Sequence, residues 1–283
     1  MMSLDLFSPS GAAPWLFAAL ALIATTGCKG AASETCESLG LCDEPPKAPV
    51  NVDILCDRSL GSSCTPKTLE ETLNRVLEHV ADRGGSRVRL FSLGSTVEKT
   101  SMLVDHALPT AKPGSERSRK AQVSQAAAAA RDVVLSAAAP SFDSPPARRS
   151  PIAESIAKVA LADAPGLPRR LIVITDAREV SALGDFECNA LPGEARFAAL
   201  LKRMNVLYGG QLKGIDVQFA YVAVQPAQGR GCPVTIDREL RIKALWTAAL
   251  KAGGAARVRI SSGPADFAEE PEQPTDSKNG GTQ

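Results

Sequence analysis

The stretch Leu171-Ile172-Val173-Ile174-Thr175-Asp176-Ala177 decides how the chain reads. Its first four residues are aliphatic, and Thr175 extends them without adding charge. A run that is apolar at consecutive positions suits a strand covered on both faces, as in a parallel sheet between helix layers. Asp176 stands just past the carboxyl end of that strand, where an acid is placed for a ligand or for a helix N-terminus.

Outward from this strand, at 171–175, the pattern alternates between strands and helices. Further strands are expected at 50–56, 86–93, 99–105, 217–224 and 256–260. A helix opens at Thr65-Pro66, with Thr65 as its cap and Pro66 in its first position. It turns Leu69, Leu73, Val76, Leu77 and Val80 to one face at helical spacing, and Gly84-Gly85 ends it. Residues 115–138 include an alanine-rich helix, and others are expected at 151–162, 193–206 and 237–252. This order predicts an α/β fold: a doubly wound, mostly parallel sheet with helices on both faces, a three-layer sandwich.

The N-terminal region carries a separate signal. Residues 14–23 are mainly apolar, 24–27 are small or hydroxylated, and Cys28 follows. A secretory signal has this layout, and the apolar run falls short of the roughly 20 residues a membrane span needs. The segment resembles the processing site of a bacterial lipoprotein. That resemblance implies removal of residues 1–27, lipidation of Cys28 and a place in the cell envelope. Lys29 after Cys28 resembles outer-membrane sorting. It departs from the family in having Thr25 where a large aliphatic residue is usual and no Lys or Arg before Pro14. Residues 28–49 read as a flexible tether, 50–262 as the domain and 263–283 as a disordered tail.

The net charge of +1, with 4% aromatic residues, gives no electrostatic case for nucleic acid. Seven cysteines leave six once Cys28 is set aside for lipid, an even number in an oxidising compartment. Six cysteines allow 15 connectivities. Neighbour pairing is expected: Cys36 with Cys42, Cys56 with Cys64, and Cys188 with Cys232. Their spacings are not those of a zinc site.

Three loops hold oxygens that suit a hard cation. The first strand runs into Asp57-Arg58-Ser59-Leu60-Gly61-Ser62-Ser63, Ser150 precedes the helix in SPIAESI, and LIVITDA ends in Asp176-Ala177. Together these resemble the von Willebrand factor type A domain over roughly residues 50–262. SPIAESI is similar to that family's TPLxEAL segment and LIVITDA to its LIVLTDG segment. The resemblance implies a metal-ion-dependent adhesion site built from a DxSxS loop, a hydroxyl before a helix and an aspartate after the fourth strand. It also implies that the strands ending at Asp57 and Asp176 are neighbours, at the point where strand order reverses and ligands bind. Position 61 is glycine where the family pattern has serine. Reading Leu60 as an insertion moves the missing oxygen to Ser62. The expected metal set is therefore Asp57, Ser59, Ser62, Ser150 and Asp176, around Mg2+ (or Mn2+ or Ca2+), which takes oxygen ligands. Arg58 and Arg178 are expected beside the crevice to pair with an acidic ligand.

Each residue also has a plainer reading: Asp57 bonding loop amides, Ser150 as a helix N-cap, Ser59 in a local turn, Arg58 and Arg178 in a salt bridge with Glu179 or Asp185, and Arg148-Arg149 and Arg169-Arg170 as solvated charge runs. The function expected is a non-enzymatic, lipid-anchored module that binds an envelope or extracellular protein. One alternative is a metal-free scaffold of the same fold. Another is a magnesium-dependent phosphoryl hydrolase, which would need a second carboxylate where Ser59 stands and a lysine near Asp176. Neither a GxxxxGK[ST] phosphate loop nor a GxSxG nucleophile elbow occurs.

Overall fold

Side chains along a strand alternate between faces, and the central strands here bury both. In β1 (Asn51–Asp57), Val52, Ile54 and Cys56 enter one apolar cluster while Leu55 enters another. In β4 (Arg169–Ile174), Ile172 and Ile174 join the first cluster, and Leu171 and Val173 join the second. The first cluster is closed by α1 (Pro66–Val80) and α2 (Glu116–Asp143), the second by α3 (Ile152–Leu161), α4 (Glu194–Tyr208) and α5 (Ile236–Ala252). The remaining strands are β2 (Arg87–Leu93), β3 (Ser101–Ala107), β5 (Ile215–Ala220) and β6 (Arg257–Ile260). This computed structural model describes residues 47–112, 114–162, 166–186, 193–222 and 235–267. Cys28, the Cys36–Cys42 pair and the Cys188–Cys232 pair lie outside the described residues.

The strands form one sheet in the order β3-β2-β1-β4-β5-β6. All neighbours pair in parallel except β2 with β3, which is an antiparallel edge. Strand order reverses between β1 and β4. Cys56 is level with Ile174 there, so Asp57 and Thr175 leave the sheet side by side. The expectation of a six-stranded, mostly parallel α/β sheet with helices on both faces agrees with this architecture.

Local differences have physical causes. The third strand starts at Ser101, because Val97–Lys99 form a 3-10 turn that delays it. The fifth strand ends at Ala220, where Tyr221 adopts a left-handed φ of 60° and breaks the extended run. Helix α2 runs on to Asp143 although Pro140 lies inside it. The hydroxyls of Ser141 and Ser144 donate to the carbonyls of Ala138 and Pro140 (2.6 and 3.2 Å) and help close its last turns. Helix α1 begins as expected, with Thr65 and Thr68 bonded reciprocally as a capping box and Pro66 in the first turn. The chain stays on the domain past the expected end at residue 262: Ala265 is buried, and Phe267 stacks on His79 and under Arg170. Among the described residues no helix is long and apolar enough to cross a membrane.

Near the amino ends of the strands, fully buried Asp53 ties three strands together. Arg89 of β2 grips both its oxygens at 2.6 and 2.9 Å, and Arg169 of β4 adds a contact at 2.7 Å. Arg169 also donates to the last carbonyls of α3, at Val159 and Ala160, so it is not the solvated charge expected of it. Replacing Asp53 with alanine leaves two guanidinium groups without their carboxylate. Asp53→Ala should lower the unfolding free energy by about 3–5 kcal/mol in urea titrations; a loss below about 1 kcal/mol would mean the cluster does not hold the strands.

Candidate functional site

At the opposite end of β1, the fully buried carboxylate of Asp57 gathers three loops. Its Oδ1 accepts from the backbone N–H of Ser59 (2.9 Å), and its Oδ2 accepts from the hydroxyls of Ser150 and Thr175 (both 2.8 Å). Backbone bonds fasten the same loops together. Leu60 N–H donates to Ala147 O (2.8 Å) and Ala147 N–H to Arg58 O (3.0 Å). Ser150 and Val180 exchange a pair of bonds at 3.2 and 2.9 Å. The carboxyl end of the sheet at the strand-order reversal is therefore covered by residues 57–64, 144–151 and 175–186.

The glycine at position 61 has a backbone reason. Ser62 N–H donates to Ser59 O (3.1 Å), closing a turn in which Gly61 has a φ of 82°. That is the third position of a type II turn, which calls for glycine. The extra residue becomes the turn's tip, with Leu60 45% exposed. Ser62 is turned within the loop, its hydroxyl accepting from Cys64 N–H at 3.4 Å. Ser59, 8% exposed, makes no hydrogen bond through its hydroxyl among the described residues. The Cys56–Cys64 disulfide, expected from spacing, closes the loop at its base. Across a sequence separation of 8, such a crosslink contributes about 2–3 kcal/mol by restricting the unfolded chain.

Asp176 follows Thr175 and is nearly buried; its Oδ1 accepts from Arg178 N–H (3.0 Å). Between them Ala177 has a φ of 64°, a left-handed conformation that strains a residue with a Cβ. The residue is held in place from both sides. Its N–H donates to Thr175 Oγ1 (3.1 Å), and its carbonyl accepts from the indole of buried Trp246 on α5 (2.9 Å). Trp246 packs edge-on to Phe186 and tilted against Phe219. Both arginines expected at the crevice engage internal partners. Arg178 is buried and pairs with Glu239 of α5 at 3.1 Å, a partner not foreseen. Arg58 lies 4.3 Å over the Phe142 ring and donates to Ser144 O, fastening the end of α2.

Two residues of this centre are absent from the sequence-level set. Thr175 reads as the end of an apolar strand, and its only signal is a hydroxyl where an aliphatic residue would serve the core. Glu179 gives no signal, since Arg-Glu-Val in a loop looks solvated. Instead it is fully buried, and its Oε2 accepts from Ala153 N–H (2.9 Å) in the first turn of α3. Ser150 does not cap that helix, because its hydroxyl is committed to Asp57; Glu179 does so from another loop. Among the described residues no three His, Cys, Asp or Glu side chains gather as a metal site. The oxygens available are two carboxylates, Asp57 and Asp176, with serine and threonine hydroxyls.

No family model matches the chain, and no curated protein matches it. Solved structures that align with the chain include the PilB minor pilin from Streptococcus sanguinis, with a TM-score of 0.48 and 8% identity over 78% of this chain and 58% of that one. The pilus adhesin SpaC from Lactobacillus rhamnosus GG, in an open conformation, aligns with a TM-score of 0.42 and 9% identity over 77% of this chain and 28% of that one. Proximal thread matrix protein 1 from the mussel byssus gives 0.38 and 11% over 78% of this chain and 46% of that one. This chain thus spans 28 to 58% of the length of those proteins.

Burial pushes the Glu179 carboxyl from its ordinary 4.5 up to about 8, against the pull of the Ala153 amide. The folded chain then holds a proton that the unfolded chain releases between those values. The stabilising contribution is complete below pH 4.5 and is lost as pH rises through 8. Each pH step of one across that window removes about 1.4 kcal/mol, so roughly 3–4 kcal/mol should disappear between pH 5 and 8. A Glu179→Gln variant has no such titration, so its stability relative to the parent should climb across that range. Urea unfolding at several pH values measures it; a constant difference would place the Glu179 titration elsewhere.

Proposed function

We propose that this chain is a bacterial envelope lipoprotein whose domain is a von Willebrand factor type A-like, non-enzymatic protein-binding module. One observation carries the reading: the unequal treatment of two buried aspartates on one strand. Asp53 and Asp57 lie on the same face of β1 and are both fully buried. Asp53 is paired directly by two guanidinium groups, whereas Asp57 accepts, among the described residues, from one amide and two hydroxyls and has the Arg58 guanidinium near it without a direct ion pair. A carboxylate taken out of water without a directly paired counter-charge is costly. A divalent cation at the loop end would supply that charge.

The donor set fits such a cation. Asp57, Ser59, Ser150 and Asp176 offer the hard oxygens that Mg2+ takes, and the Ser59 hydroxyl is not engaged by described residues. When bound, the cation offers an electrophilic position to a partner's acidic side chain. The chain's own residues hold the loops in register and exclude water beneath them. The neighbouring of β1 and β4 where strand order reverses, which the resemblance implies, also supports the family reading.

A metal-free scaffold of the same fold is the second reading. It is favoured by Asp57 itself, since both its oxygens already accept protein hydrogen bonds. Calorimetric titration of the full mature chain, disulfides intact, with Mg2+, Mn2+ and Ca2+ separates the two. The cation reading expects saturable binding at one site, weakened at least about tenfold by Asp176→Asn with the fold retained. No heat and no gain in melting temperature with any of the three cations would leave the scaffold.

A further inference from the structure

Arg148 and Arg149 stand apart from the other arginines around the crevice. Arg178 is buried on Glu239, and Arg58 is spread over Phe142 and Ser144. Arg148 and Arg149 are exposed, and among the described residues neither has a hydrogen-bond or ion-pair partner. Their backbone, however, is tightly placed. Ala147 on one side is bonded in both directions to the Asp57 loop, and Ser150 on the other is bonded twice to Val180 and through its hydroxyl to Asp57.

Consecutive Cα atoms are about 3.8 Å apart, so both arginines start within two such steps of a residue that touches Asp57. A short span pinned at both ends carries two exposed, strongly basic side chains on the loop that meets Asp57. Beside it the exposed Leu60 tip adds an apolar contact, since Leu60 N–H is bonded to Ala147 O. Structural roles account for Arg58 and Arg178; they leave Arg148 and Arg149 without an internal use. An always-charged planar guanidinium at an open rim recognises carboxylates and draws acidic partners in from a distance.

We propose that Arg148 and Arg149 form a recognition rim that selects an acidic peptide segment, one carrying several neighbouring carboxylates rather than one. The inference rests on the cation reading of the crevice: one carboxylate reaches the cation and its neighbours meet the two guanidinium groups. A charge run that plays no part in recognition would leave the oligo-aspartate affinity unchanged when it is removed.

The test uses the full mature chain and two labelled peptides, an oligo-aspartate and a glycine-serine peptide with one aspartate, followed by fluorescence anisotropy with and without Mg2+. The oligo-aspartate should bind only with Mg2+ and weaken steeply as salt rises. Arg148→Ala/Arg149→Ala should lower its affinity about tenfold at low salt and flatten the salt dependence. The double variant should keep the parent's Mg2+ affinity and melting temperature, and its affinity for the single-aspartate peptide. Mg2+ binding with equal oligo-aspartate affinity in parent and double variant, or with no peptide binding at all, would overturn the rim alone. Failure of the parent to bind Mg2+ would overturn the cation reading and the rim with it.

Discussion

A carboxylate buried at the end of a strand must find donors, and Asp57 finds them in three separate loops. The backbone of Ser59 and the hydroxyls of Ser150 and Thr175 reach it from segments far apart in the chain. Left without these bonds, the group would carry a desolvation penalty of several kcal/mol. Satisfying it therefore aligns the three loops with each other. Position in the sheet makes this arrangement available, because β1 and β4 are neighbours where the strand order reverses, and the loops above them diverge.

That commitment propagates. Because Ser150 serves Asp57, the first turn of α3 needs another acceptor, and Glu179 supplies one while buried and with a raised pKa. Because Thr175 serves Asp57, its oxygen also receives the amide of Ala177, which sits in a left-handed conformation. Trp246 then bonds the carbonyl of Ala177, so the last helix is coupled to the same strand end. Each substitution of partners moves a polar demand one step outward, until α3, α5 and the loop at 175–186 are all engaged.

Much of the fold is legible in the sequence because it depends on local periodicity. The β4 run, the α1 stripe from Leu69 to Val80, the Thr65-Pro66 start and the Cys56–Cys64 bridge can all be read from neighbours in the chain. The candidate site is less legible, for a physical reason. Its side chains are visible as residue types, but their partners are chosen by tertiary contacts. Ser150 reads equally well as a helix cap, and only the position of Asp57 decides otherwise. The pairing of Ala147 with the Asp57 loop is made by backbone atoms and has no side-chain signature. Gly61 illustrates the opposite error. It reads as a lost ligand, whereas a turn with a φ of 82° demands it, and the inserted Leu60 becomes the solvent-exposed tip.

The two ends of β1 meet the cost of a buried aspartate in different ways. At the amino end, Asp53 is sealed by Arg89 and Arg169, with the pair buried and the α3 carbonyls also engaged. The Asp53 charge thus has an internal answer, which makes that end rigid. At the carboxyl end, Asp57 accepts directly from neutral donors with the Arg58 guanidinium near it, while exposed arginines lie along the adjoining loop. Negative charge in the crevice and positive charge on its rim are thus held apart by a backbone bonded on both sides of Arg148 and Arg149. If those arginines folded inward to neutralise Asp57, the crevice would become a second structural cluster like that at Asp53. The bonds at Ala147 and Ser150 fix the backbone on both sides of the two arginines and oppose such a collapse.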